Sequence, residues 1–126
     1  MRYMIGALSV LIVIIGATTA NSLYMSSVTG KAIAYVEDAL AAGEADDESA
    51  TVQAALALDR YWDERRSYLE SVLMHAELDD ISVTISDFVS AAENGDRENF
   101  RANGRLLYVQ LRHLAELERL RVGNIL

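Results

Sequence analysis

The 126-residue chain contains no cysteine and no proline, only seven glycines, and a single tryptophan. Without cysteine there is no disulfide framework, no thiolate metal site and no thiol nucleophile. Without proline no helix is interrupted by a missing amide donor, and abundant Ala, Leu, Glu and Asp favour an all-helical chain. Positive charge is also scarce: 11 Lys and Arg stand against 19 Asp and Glu, for a net charge of −8. A general affinity for nucleic acid needs a basic surface, and that balance argues against it. Broad adhesion to anionic headgroups is disfavoured for the same reason.

Charge is missing altogether from Tyr3 to Gly30, and Met4–Ala17 is dominated by Ile, Leu, Val, Ala and Met. Hydrocarbon leaves backbone amides no partner but the helix itself, so about 20 such residues suit a membrane span. Tyr3 and Tyr24 lie roughly 31 Å apart at helical rise, a spacing that suits an aromatic belt at both faces. A cleaved signal peptide is the competing reading, with Thr18-Thr19-Ala20 as its small-residue site. Apolar residues continue through Leu23, Tyr24, Met25 and Val28, which favours a retained anchor. Arg2 before the span places the N-terminus in the cytoplasm and the rest outside. The expected division is residues 1–25 as anchor and 26–126 as an extracytoplasmic helical domain. Gly16 and Ala20 form a weak small-x-x-x-small pair.

In residues 26–42 the positions Val28, Ala32, Val36 and Ala39 share one helical face. Gly43–Ser49 is an acidic connector in which Asp46, Asp47 or Ser49 can cap the next helix. Asn94-Gly95-Asp96 is the clearest turn, with Asp96 as an N-cap, and a final helix is expected from about Arg97 to Arg121. Between Asp47 and Glu93 there is no Gly or Pro, but one helix of roughly 70 Å would outrun so small a domain. Periodicity also argues for two helices. Leu58, Trp62, Leu69, Leu73 and Ala76 share one face, whereas Leu78, Ile81, Ile85, Phe88 and Ala92 cluster nearly opposite on the same continued helix. A break near Met74–Ala76 lets both stripes face one core. Glu77, Asp79 and Asp80 then fall in the first turn of a new helix, where free amides and the dipole favour carboxylates. The expected fold is all-α, a single N-terminal transmembrane helix followed by a small antiparallel bundle of three to four helices.

Chemistry is thin. His75 with Asp79, and His113 with Glu116, are pairs that two helices might bring together around a metal, but His113 lies off the Leu107/Leu111/Leu114 stripe and points to solvent. No metal, cofactor or catalytic residue is assigned, and no P-loop or dinucleotide fingerprint is present. Trp62 at helical spacing from Leu58 and Leu69 reads as core. The strongest charge pattern is on the last helix, where Arg97, Arg101, Arg105, Arg112 and Arg119 fall on one side with Tyr108. That row suits a phosphorylated, carboxylated or lipid-headgroup partner. Pairing within the domain with Asp59, Asp63 and Glu70 is the favoured alternative. The closing Ile125-Leu126, after Gly123-Asn124, is expected to fold back on the bundle near His75 and Glu77 and to contribute to its stability.

The run from Trp62 through His75-Ala-Glu77-Leu-Asp79-Asp80-Ile81, the Asn94-Gly95-Asp96 turn, the Arg112–Glu118 segment and the terminal Asn124-Ile125-Leu126 resemble an uncharacterised bacterial family, domain of unknown function 4363. The resemblance covers most of residues 60–126. It implies one N-terminal anchor followed by a small helical domain and supplies no activity. Function is therefore expected to be a non-enzymatic interaction module in the bacterial envelope with a protein partner, or alternatively an extracytoplasmic ligand- or ion-binding sensor.

Overall fold

Four helices pack around one core in a computed structural model that describes residues 1–72 and 75–125: α1 (Arg2–Glu44), α2 (Glu48–Val72), α3 (His75–Asn94) and α4 (Arg97–Ile125). Helix α1 packs on α2 and α4, and α3 packs on the same two. The helices thus occupy the corners of a square, with α1 diagonal to α3 and α2 diagonal to α4 among the described residues. Every neighbouring pair is antiparallel. Tyr24 meets Tyr68 and Tyr35 meets Tyr61 across α1 and α2, while Trp62 meets Ser82 across α2 and α3. All-α architecture with a long apolar first helix is as expected.

Helix α1 is two things in one. Its first part, from Tyr3 through Ile15, exposes almost every apolar side chain. Its second part buries Met25, Val28, Thr29, Ala32, Val36 and Ala39, the face that the sequence marks, extended by one turn. The most apolar stretch of the helix has no residue inside the bundle. Length and composition suit a membrane span, and the N-terminal position suits a signal sequence equally. Bundle contacts reach back beyond residue 26. Asn21 bonds to α2 and α4, and Tyr24, expected at headgroup level, packs edge-on against Tyr68 with centroids 4.7 Å apart.

The two distal turns follow the sequence closely. Asp47 caps α2, accepting from the Ala50 amide at 3.0 Å. Ahead of it, Asp46 takes a positive φ of 58° to reverse the chain, a conformation that Asp tolerates better than most residues. Gly95 supplies the same left-handed geometry before α4 at φ 69°, and Asp96 accepts from the Asn99 amide at 3.2 Å. Phe88 and Phe100 stack nearby, 4.4 Å between centroids and 12° from parallel. Helices α1 and α4 approach closely there by reciprocal small-to-large packing. Gly43 faces the Phe100 ring and Gly104 faces Leu40.

The core gathers Leu58, Trp62 and Leu69 from α2, Leu78, Ile81, Ile85 and Phe88 from α3, and Leu107, Leu111 and Leu114 from α4. Three expectations need correction. Ala76 belongs to α3 and is exposed, because α2 ends at Val72 and the face that it continued ends there; Leu73 lies outside the described residues. Helix α4 does not stop near Arg121 but runs through Ile125, so Gly123-Asn124 does not turn the chain back. The contacts of the Asn124 and Ile125 side chains, and all of Leu126, lie outside the described residues. Third, the arginines of α4 cannot meet Asp59, Asp63 and Glu70, because α2 stands on the far diagonal.

Candidate interaction surface

Helix α4 carries the arginine row along the edge that it shares with α1. Arg97, at the distal end, forms an ion pair with Asp46 in the α1–α2 turn. Arg101 and Arg105 flank a shallow depression with Leu40 and Glu44. Further down, Tyr108, Arg112 and Arg119 line a groove with Ser26, Thr29, Gly30, Ile33 and Glu37 of α1. The Arg112 guanidinium lies 5.7 Å from the Tyr108 ring centroid and donates to its hydroxyl at 3.5 Å. Among the described residues Arg101, Arg105, Arg112 and Arg119 make no ion pair within 4 Å. The stripe is brought together, exposed and largely unneutralised at close range.

The His75–Ile81 segment opens α3, and its acids divide. Glu77 occupies the first turn, half-buried, where the dipole favours it. Asp79 turns outward to Arg66 of α2, 3.3 Å away, and Arg66 also holds Glu70 at 2.9 Å. Glu77 and Asp80 border a groove with Gln110 and His113 of α4. The His75 side chain lies outside the described residues. Among those described, no three His, Asp or Glu side chains converge as a metal would require. Trp62 is core, only 2% exposed, and its indole N–H donates to the Ser82 hydroxyl at 3.1 Å.

Two polar clusters escaped the sequence reading. Where the apolar part of α1 enters the bundle, the Tyr68 hydroxyl donates to Asn21 Oδ1, and the Asn21 amide donates to Glu118 Oε1 at 3.4 Å. Glu118 is itself buried. The one signal for this collar is Asn21 as a polar exception in an uncharged run. Midway up, Arg65 lies 3.7 Å over the Tyr61 ring, whose other neighbour is Tyr35. Burial raises the Tyr61 pKa above its ordinary value near 10, the positive charge of Arg65 partly opposes that shift, and the nearby phenols of Tyr24 and Tyr35 add to it. The unfolded chain then ionises first on the alkaline side, so the stability that Tyr61 contributes is intact below about pH 10 and is lost as pH rises through the folded pKa. Tyr61→Phe is expected to flatten that alkaline loss and leave neutral stability nearly unchanged. Urea melts between pH 8 and 11 check it, and an identical alkaline slope in the variant would refute it.

The family described as Domain of unknown function (DUF4363) matches residues 19–125. The chain belongs to that family. The DUF4363 region begins just before Asn21 and takes in the whole bundle, including the collar and the arginine row, while leaving out most of the exposed apolar part of α1. No curated protein and no solved structure matches the chain.

Proposed function

We propose that the protein is a membrane-anchored, non-enzymatic interaction module, with its bundle on the outer face of a bacterial cytoplasmic membrane. The observation that carries this reading is the division of α1. From Tyr3 through Ile15 the helix is mainly apolar and exposed, and the same unbroken helix is built into the bundle from Asn21 onward. Exposed Ile, Leu and Val along several turns are costly in water and favourable in hydrocarbon. Arg2 ahead of the span supports an inside N-terminus. The arginine row supplies the surface through which a partner is held, since Arg forks suit carboxylate and phosphate groups. An extracytoplasmic sensor is the second reading, favoured by the absence of any break in α1 between span and bundle.

Crosslinking followed by pull-down from native membranes tests both. A stoichiometric protein partner supports the interaction module, and a bound small molecule in its place supports the sensor. Protease added to intact protoplasts is expected to digest the bundle. Full protection would overturn the orientation.

A further inference from the structure

Helix α4 has a second apolar face, turned away from the core. Ala102, Leu106, Val109, His113, Glu116 and Leu120 recur at intervals of four, three, four, three and four, the spacing of a coiled-coil seam, with His113 and Glu116 as its two polar positions. Leu106 is 47% exposed, Val109 61% and Leu120 65%. Half-buried Leu117 flanks them. This ridge, roughly 27 Å long at helical rise, has no helix packed over it among the described residues.

Its two edges carry opposite charge. On the α1 side Arg101, Arg105, Arg112 and Arg119 each immediately precede a ridge residue, so that edge is positive, while Glu116 lies between it and the apolar positions. Glu37 and Glu44 of α1 lie across the groove. The α3 side carries carboxylates. Glu77 and Asp80 are level with Gln110 and His113, and Asp87 is level with Asn99 and Asn103.

We propose that a second copy of this chain covers the ridge, with the two α4 helices side by side and parallel about a twofold axis along the bundle. Such an axis exchanges left and right. The arginine edge of one copy therefore faces the carboxylate edge of the other at the same height, Arg112 against Asp80 and Arg101 or Arg105 against Asp87. An antiparallel pair would instead set arginine edge against arginine edge, so charge selects the parallel form. Anchoring in one bilayer imposes that same orientation, and this part rests on the reading above. The ridge alone falls short of the roughly 800 Å² per partner typical of a stable interface. Confinement to a membrane lowers the orientational cost of association and offsets that deficit.

The absence of cysteine makes the test direct. Leu106→Cys and Val109→Cys are introduced singly into the full chain in native membranes, with Asp59→Cys on α2 as control, and each is oxidised. A parallel pair brings each ridge cysteine beside its own counterpart, within the Cα separation that a disulfide needs. Both ridge variants are expected to run as covalent dimers and the control as monomer. Arg112→Glu should lower the yield at position 106 about tenfold, because symmetry places the reversal at two contacts at once. Adding Asp80→Arg should restore it. Monomers at both ridge positions, or a ridge cysteine captured by a different polypeptide, would overturn the proposal. So would an Arg112→Glu defect that Asp80→Arg fails to correct. Carbonate extraction of the same membranes reads the anchor separately. Release of a chain that still crosslinks at 106 would support the dimer and overturn the anchoring, whereas a retained monomer would do the reverse.

Discussion

Trp62→Ala is expected to lower the melting temperature by more than about 12 °C. The side chain is the largest in the α2–α3 contact and almost wholly buried, wedged in the core with Leu58 and Leu69. Removing a buried Trp typically costs about 3–5 kcal/mol, the transfer term plus the cavity left behind. In a domain of this size each kcal/mol shifts the midpoint by roughly 4–8 °C. The donor to Ser82 Oγ adds little, because Ser82 is only half-buried and its hydroxyl can turn to water. Trp62→Phe should therefore retain much of the stability that Trp62→Ala loses. Thermal circular dichroism of the full chain in detergent measures both. A drop below about 4 °C for the alanine variant would show that the ring does not close the core.

Gly104→Leu carries the second-largest expected effect. A Cβ at position 104 would lie 2.7 Å from Leu40 Cδ2, 3.1 Å from its Cγ and 3.2 Å from its Cδ1. Glycine inside a helix costs about 1 kcal/mol against alanine, so α4 accepts that cost where Leu40 of α1 presses against its backbone. Gly104→Ala sets a propensity gain against displacement of one half-buried leucine and should change stability little. Leucine adds three further carbons and forces the helices apart, at about 1–3 kcal/mol for overpacking. The predicted fall is roughly 4–24 °C. Combining it with Leu40→Ala should recover part of the loss, because the two side chains compete for one space. Equal melting points for Gly104 and Gly104→Leu would mean that this approach is not tight.

Where local chemistry decides the outcome, the sequence was legible. Asp96 after Asn94-Gly95 caps α4 because a short carboxylate suits free amides, whatever the rest of the fold does. The opposed stripes of α2 and α3 required a break, and α3 opens with Glu77 in its first turn, while Asp79 and Asp80, expected there as well, fall beyond it. What pairing depended on topology was not legible. Placing Arg101 to Arg119 against Asp59, Asp63 and Glu70 assumed adjacency of α2 and α4. Charge period along a helix cannot distinguish a neighbour from a diagonal, and the short α2–α3 and α3–α4 connections here make those helices the neighbours. The Asn21–Tyr68–Glu118 collar was hidden for a related reason. Its members are 47 and 97 residues apart along the chain, and no local period links them. Gly123-Asn124 shows the limit from the other side. Both residues are competent to end a helix, yet α4 continues past them to Ile125.

The unbroken course of α1 has a mechanical consequence. From Asn21 to Glu44 the helix extends about 35 Å without a hinge, with α2 and α4 clamped along it and α3 packed on those two. The bundle is therefore a cantilever rather than a ball on a string. Tilting the apolar end by about 10° would swing the distal turn at Asp46 and Gly95 by roughly 6 Å, with no internal joint to absorb the motion.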